Sequence, residues 1–429
     1  MLKSKFMELK ILSEPKFQIF KDKEDYVFYN SVRHFSCRIS LLDLSIFNLI
    51  YSLGKIEVIL TYIPQKYHEY VKQVYRAVKS SHALDISPSL EAKSIEYKEP
   101  STYYLHLTYK CNLDCIYCYN KKIRSSYIDE LSLEEWYSIL DKILPFASKF
   151  ILTGGEPFLY KHIREIILYI KKYNKGINIE IISNCMIDYC NNQFDEVFTN
   201  ISQIIFSCDN ISDKNQPRKN FKPDLFKKNI VYIKSKYPNL PTLVSSVYSC
   251  GNYIELGHIR NFCSQQHADF RSVLIVPGNK DEISLLPPFE EYCSTLYKSI
   301  QRQPKMRLHC GAAIGILSIN PKGEVYPCQS LMRNEFLMGS LRTSTMHDIM
   351  QSDVFNLFRY KFCVDNIRIC NTCNVKYICA GGCRAATINT EGSAEKWPKT
   401  LCRYYREQAL NALRSIPPMG KMNLLDNAL

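Results

Sequence analysis

Three cysteines fall within eight residues in "CNLDCIYC": Cys111, Cys115 and Cys118, four and then three positions apart. A closed structural zinc site takes four ligands, and a thiol redox motif takes two. Three thiolates are what a 4Fe-4S cube needs when its fourth iron is left open for a small molecule. A second thiol array lies far downstream. Cys310 and Cys328 bracket "CGAAIGILSINPKGEVYPC", and "CNTCNVKYICAGGC" places Cys370, Cys373, Cys379 and Cys383 in a C-x2-C-x5-C-x3-C spacing, with Cys402 after it. Taken alone, that array suits either zinc or iron and sulfide. "TGGEP" (Thr153 to Pro157) and "SNC" (Ser183 to Cys185) complete the stretches able to do chemistry.

The elements that must position these residues are legible in the apolar pattern. From Tyr103 the chain alternates strand-like runs with helical ones: "YYLHLTY", "KFILTGGE", "NIEIISN", "QIIFSCD", "PTLVSSVYS" and "FRSVLIVPG". Six strand-then-helix units imply a parallel sheet with helices outside it. They supply roughly three-quarters of the eight that close a full barrel. The fold class expected is α/β, a partial (βα)6 TIM-like barrel over 96–303. The ends of its first two strands, Tyr109 and Glu156, then share one face. Over 1–95, three short strands followed by two helical patterns describe a winged-helix-like α+β module, joined by the linker "SPSLEAKSIEYKEPS". From 304 to 415 cysteine, glycine and irregular stretches dominate, so this part is expected to fold around metal. Residues 416–429 read as a loosely attached tail.

Two motifs in this order, each at an expected strand end, resemble the radical S-adenosylmethionine enzymes: the C-x3-C-x2-C spacing with an aromatic before its last cysteine, and the glycine-glycine-glutamate of "TGGEP". The resemblance implies that Cys111, Cys115 and Cys118 hold three irons while S-adenosylmethionine chelates the fourth. It places Gly154, Gly155 and Glu156 at the methionine amino group and Tyr117 near the adenine. Ser183 and Asn184 stand where relatives contact the ribose or carboxylate, although Cys185 replaces the usual glycine. Asp209, ending the fourth strand, is a further cofactor-site candidate, with capping of the next turn as its structural alternative. The downstream array is similar to the SPASM domain, which implies two auxiliary 4Fe-4S clusters. By that domain's crossing pattern, Cys370, Cys373, Cys379 and Cys402 hold one, and Cys310, Cys328 and Cys383 the other. The second set lacks a fourth cysteine, for which Cys363 or Cys293 is a candidate; the alternative is an open iron. The other cysteines are scattered and read mostly as buried small hydrophobes.

The bulk properties narrow the function. The chain of 429 residues carries a net charge of +13 without a long Lys/Arg run, which reads as a solvated basic surface and not as a nucleic-acid site. No signal peptide or membrane-length apolar run is apparent, so a cytoplasmic protein is expected. Eighteen cysteines in a reducing compartment point to metal or catalysis before disulfides. The N-terminal module resembles, more weakly, the leader-binding element of enzymes that modify ribosomally made peptides. The expected function is therefore a peptide maturase that abstracts hydrogen from a precursor residue to form a thioether, a carbon–carbon link or an epimer. Its partners would be the precursor with its leader and a low-potential electron donor of flavodoxin or ferredoxin type. A formylglycine-generating sulfatase maturase is the rival within the same chemistry, and a non-catalytic zinc or iron-sulfur electron carrier is the rival outside it.

Overall fold

A computed structural model describes residues 17–22, 25–30, 35–86, 99–121, 130–212, 216–297, 307–373 and 375–414. Most of the expected linker and the whole 416–429 tail lie outside the described residues.

The first unit is an antiparallel meander of β1 (Phe17–Asp22), β2 (Asp25–Asn30) and β3 (Phe35–Ile39), followed by α1 (Leu41–Leu53), α2 (Ile56–Leu60) and α3 (His68–Ser80). Ser40 starts α1 with a capping box: its hydroxyl accepts from the Asp43 amide, and the Asp43 carboxylate accepts from the Ser40 amide. Strand alternation gives the sheet two apolar faces. Phe17, Phe28, Cys37 and Ile39 pack on Phe47 and Ile50 of α1 and on Val71, Val74 and Val78 of α3. Val27 points the other way and is buried against the C-terminal part of the chain.

The central sheet comprises β4 (Thr102–Thr108), β6 (Lys149–Gly154), β7 (Asn178–Ser183), β8 (Gln203–Ser207), β10 (Thr242–Tyr248) and β11 (Asp269–Leu274). All six are parallel and lie side by side in chain order. These are the six strands expected from the sequence. A further pair of two-residue strands, β5 (Asp114–Cys115) and β9 (Arg218–Lys219), stands above the sheet. Helices α4 (Leu133–Ile143), α5 (Ile163–Tyr173), α6 (Asp195–Thr199), α7 (Pro223–Lys236), α8 (Glu255–Gln265) and α9 (Phe289–Tyr297) separate the strands and follow the last one. Alternate residues of β4 (Tyr103, Leu105 and Leu107) share the main core with Trp136, Ile139, Leu140 and Ile143 of α4. That spacing of three and four is one helix face.

The sheet does not end at β4. Its outer edge takes β12 (Ile316–Ile319) in parallel, then β13 (Glu324–Tyr326) and β14 (Gly339–Ser340) antiparallel, giving nine strands. The region after 304 is thus less self-contained than its composition suggested. Leu317, Ile319, Val325, Leu331 and Leu341 join the barrel core, because an irregular segment poor in apolar residues gains burial by extending an existing sheet. Short helices α10 (Met346–Met350), α11 (Asp353–Asn356), α12 (Lys376–Cys379) and α13 (Arg384–Glu391) follow, and α14 (Cys402–Arg414) closes the described chain. Val375, Ile378, Leu410 and Leu413 form the surface on which Val27 sits, so the N-terminal module docks on the C-terminal unit.

Candidate functional site

The loop after β4 carries Cys111, Cys115 and Cys118 and is tied across the top of the sheet. Asp114 and Cys115 pair with Lys219 and Arg218, and the Ile116 amide donates to Pro217 O at 3.0 Å. Two side chains donate to sulfur: Asn184 Nδ2 to Cys111 Sγ (3.6 Å) and Arg218 Nη1 to Cys115 Sγ (3.8 Å). Burial pushes the Cys115 thiol up to about 11 against the pull of Arg218, with Cys118 and Cys111 adding to the rise. The three thiols therefore share one neighbourhood.

"TGGEP" lies beside this loop, and its glycines are required by space. A Cβ on Gly154 would stand 2.2 Å from Thr108 O, and one on Gly155 would stand 2.1 Å from Lys110 O. Gly154 also has φ +134°, a region that side-chain-bearing residues rarely occupy. The close approach lets the Gly155 amide donate to Thr108 O (2.7 Å) and the Glu156 amide to Lys110 O (2.8 Å). In this way the end of β6 holds the segment just before Cys111. Glu156 is fully buried. Its carboxyl accepts from the Asn184 amide (2.7 Å), the Ser183 hydroxyl (2.9 Å) and the Phe158 amide (3.3 Å), yet burial still raises it to about 7.

"SNC" therefore meets "TGGEP" directly. Asn184 links Glu156 to Cys111 and also donates to Asn112 Oδ1 at 2.7 Å. Cys185 has φ +64°, the left-handed conformation a glycine would adopt freely. Asn229 of α7 braces that turn by donating to Cys185 O (3.0 Å) and Ile187 O (2.7 Å). Asp209 has both oxygens engaged, one by Arg218 Nε (2.7 Å) and one by the Val247 amide (2.6 Å). It positions Arg218, whose guanidinium reaches Cys115 and lies 5.7 Å from the centre of the Tyr117 ring. The Tyr117 hydroxyl is buried without a partner among the described residues.

The downstream thiols separate into two neighbourhoods. Cys328 and Cys383 are raised first by burial and then by thiols of the same trio: Cys383 and Cys310 act on Cys328, and Cys310 acts on Cys383. Cys379, pushed up to about 12 mainly by burial, feels Cys373, Cys370 and Cys402. These last four also line one cavity of about 90 Å³ with Gly381, Trp397 and Tyr405. Among the described residues no three Cys, His, Asp or Glu side chains are set to hold a single metal ion. Cys363 is raised mainly by burial, with Asp365 and Lys376 also acting on it, and Cys293 acts on Tyr248 and Tyr292. Of the remaining cysteines, Cys37, Cys185, Cys208 and Cys263 are buried, Cys190 is partly buried and Cys250 is exposed.

Sequence reasoning missed three residues: Arg218, Arg384 and His106. His106 of β4 alternates with the core-facing Leu105 and Leu107, which puts it on the opposite face of the strand. It is fully buried, and neither ring nitrogen has a partner among the described residues. Burial lowers it to about 3, which leaves the imidazole neutral, with one donor and one acceptor to offer. Tyr109 and Tyr119 flank its ring at 6.4 and 6.3 Å between ring centres. Only a histidine inside an otherwise apolar strand could have signalled it.

Residues 105–248 match the Radical SAM superfamily, and residues 310–374 match SPASM, an iron-sulfur cluster-binding domain. The chain carries a radical SAM domain and a SPASM domain. Radical SAM and SPASM domains bind 4Fe-4S clusters, and the residues fit: three grouped thiols, two N–H donors to sulfur and a glycine turn with no room for a Cβ. An uncharacterized protein of Methanocaldococcus jannaschii is 28% identical over 53% of this chain and 84% of its own length. The sporulation killing factor maturation protein of Bacillus subtilis is 27% identical over 41% of this chain and 42% of its own. Among solved structures, Streptococcus suis SuiB bound to its precursor peptide SuiA matches with TM-score 0.57 and 15% identity, over 91% of this chain and 99% of SuiB. The structure of anSMEcpe with bound AdoMet matches with TM-score 0.62 and 16% identity, over 74% of this chain and 98% of that one. At these identities the solved structures establish the radical SAM fold. Among the described residues no helix is long and apolar enough to cross a membrane.

Proposed function

We propose that this enzyme modifies a ribosomally made precursor peptide in the cytoplasm, abstracting hydrogen from one residue to form a thioether or carbon–carbon crosslink or an epimer. The observation that carries the reading is the SuiB likeness. It covers 91% of this chain, more than residues 96–429 can supply, so it extends into the N-terminal module. SuiB in that structure is bound to a precursor peptide. The anSMEcpe likeness covers 74%.

Cys111, Cys115 and Cys118 would hold the S-adenosylmethionine-binding cluster. Reduced by a flavodoxin- or ferredoxin-type donor, such a cluster would supply the low-potential electron for reductive cleavage of S-adenosylmethionine. The chain's own residues bind and orient. Arg218 and Asn184 donate to the sulfurs of Cys115 and Cys111, and Gly154 and Gly155 let the β6 end approach the loop. Glu156, beside them, would accept from the methionine ammonium; Ser183 and Asn184 would meet its ribose or carboxylate, and Tyr117 would lie near the adenine. Cys370, Cys373, Cys379 and Cys402 would hold one auxiliary cluster, and Cys310, Cys328 and Cys383 the other with one iron open. The outer strands β1 and β3 of the three-stranded sheet would be the strand-addition surface for the leader.

The test begins with iron and sulfide per chain after anoxic reconstitution, for the native protein and for Cys111/Cys115/Cys118→Ala. About twelve irons falling to about eight is expected for three 4Fe-4S clusters, with dithionite-driven release of 5′-deoxyadenosine lost in the variant. Synthetic peptides from the short reading frames flanking the gene then serve as probes. Loss of a hydrogen pair, or uptake of solvent deuterium, supports the proposal. About four irons falling to none, or deoxyadenosine release with every peptide unchanged, overturns it.

A further inference from the structure

Arg384 begins α13 directly after Cys383 and is only 1% exposed. Its guanidinium donates to carbonyls: Nη1 to Ala394 O (2.8 Å) and Lys396 O (3.1 Å), and Nη2 to Gly381 O. Nε is buried without a partner among the described residues. No ion pair links Arg384 to a carboxylate among those residues either. Arginine keeps its proton in proteins, and it is almost never fully buried unless paired. Carbonyl dipoles solvate the guanidinium but bring no counter-charge, so the opposing charge must come from elsewhere.

The two auxiliary thiol sets lie on either side. Cys383, the preceding residue, belongs to the set with Cys310 and Cys328. Gly381, whose carbonyl holds Nη2, lines the cavity formed with Cys370, Cys373, Cys379 and Cys402. The positive charge acts on Cys370 of one set and on Cys383 of the other. Thiolates are the form that binds metal, so each loaded set concentrates negative charge, and each added electron increases it.

We infer that Arg384 is the shared counter-ion of the two auxiliary centres, a positioning residue that balances both thiolate sets and sets how readily each centre takes an electron. This rests on the two-cluster reading above. Because one cation faces both sets, its removal shifts both centres in the same direction, toward harder reduction. Reducing either centre also draws on the same positive charge and opposes reduction of the other.

The test uses full-length Cys111/Cys115/Cys118→Ala protein, in which the auxiliary centres are observed alone, with and without Arg384→Gln or Arg384→Lys. Iron is counted, and the centres are titrated potentiometrically under electron paramagnetic resonance. With Gln, about eight irons should remain, and each centre should become roughly tenfold or more harder to reduce, about 59 mV for one electron. Lys should hold both midpoints close to the parent. Unmoved midpoints in the Gln variant, or movement of one centre alone, overturn the inference. If Gln prevents assembly, Lys decides: iron and midpoints retained support the counter-ion role, and loss in both variants overturns it. A parent without auxiliary iron overturns the two-cluster reading itself, and this inference with it; the iron count separates that failure from unmoved midpoints.

Discussion

Replacing Gly155 by alanine tests the site where its geometry is tightest. The new Cβ would stand 2.1 Å from Lys110 O, 2.6 Å from the Lys110 carbonyl carbon and 2.7 Å from Tyr109 O, where 3.4–4 Å is ordinary contact. All three atoms are backbone, so no side-chain rotation relieves the overlap. The β6 end and the β4 loop must separate by more than ~1 Å, which stretches the Gly155 and Glu156 amide bonds to Thr108 and Lys110 and moves the residue before Cys111. The cost should reach the top of the over-packing range, about 3 kcal/mol, or on the order of 3 °C in Tm for a chain of this size. Gly257→Ala is the control. It lies in α8 with nothing within 4 Å of an added Cβ, and should gain roughly 0.5–1 kcal/mol from helix propensity. Circular dichroism melts of anoxic protein, with iron counted on the same samples, read both. Gly155→Ala should also lose about four irons, one cluster's worth. If it keeps parental Tm and iron, the Tyr109–Lys110 backbone yields freely, and the account of the glycine turn is wrong.

Arg218→Leu should cost about 3–5 kcal/mol in urea unfolding, because Asp209 then stays buried with only the Val247 amide. Adding Asp209→Asn should recover part of that loss, and two independently additive penalties would refute the pairing. Glu156 makes stability depend on pH. Burial raises its folded value to about 7 from the ordinary 4.5, so its contribution is fully present below 4.5 and lost as pH rises through 7. Between about pH 5 and pH 8 the wild type should lose ~3 kcal/mol more than Glu156→Gln. Parallel pH profiles would contradict a buried carboxyl held in its protonated form.

The six barrel strands were legible because each is a short β-branched run between helical patterns, and the parallel sheet adds no exception to that rhythm. The fate of residues 316–341 was not. Strands of two to four residues carry too little periodicity to be read, and their pairing with β4 depends on an edge that exists only after the barrel has formed. The "TGGEP" motif was visible, but its partner "SNC" looked compromised by Cys185. The structure shows the left-handed turn retained, with Asn229 of a distant helix bracing it.

By itself the sequence determined the local chemistry: a three-thiol loop whose members are close because only seven positions separate the first from the last, and a glycine turn at a strand end. It also determined the alternation that builds the sheet beneath them. Only the tertiary structure decided which distant groups complete the sites. Cys383 lies beside Cys310 and Cys328, far away in the chain, although Cys379 is its nearer neighbour in sequence. Arg218 approaches Cys115 through a two-residue strand pair, and Arg384 is buried directly after Cys383 with no ion pair to a carboxylate among the described residues. Buried charges are placed by what surrounds them in space. One-dimensional spacing carries no record of that environment, and an arginine in a sequence looks the same whether it faces water or a thiolate.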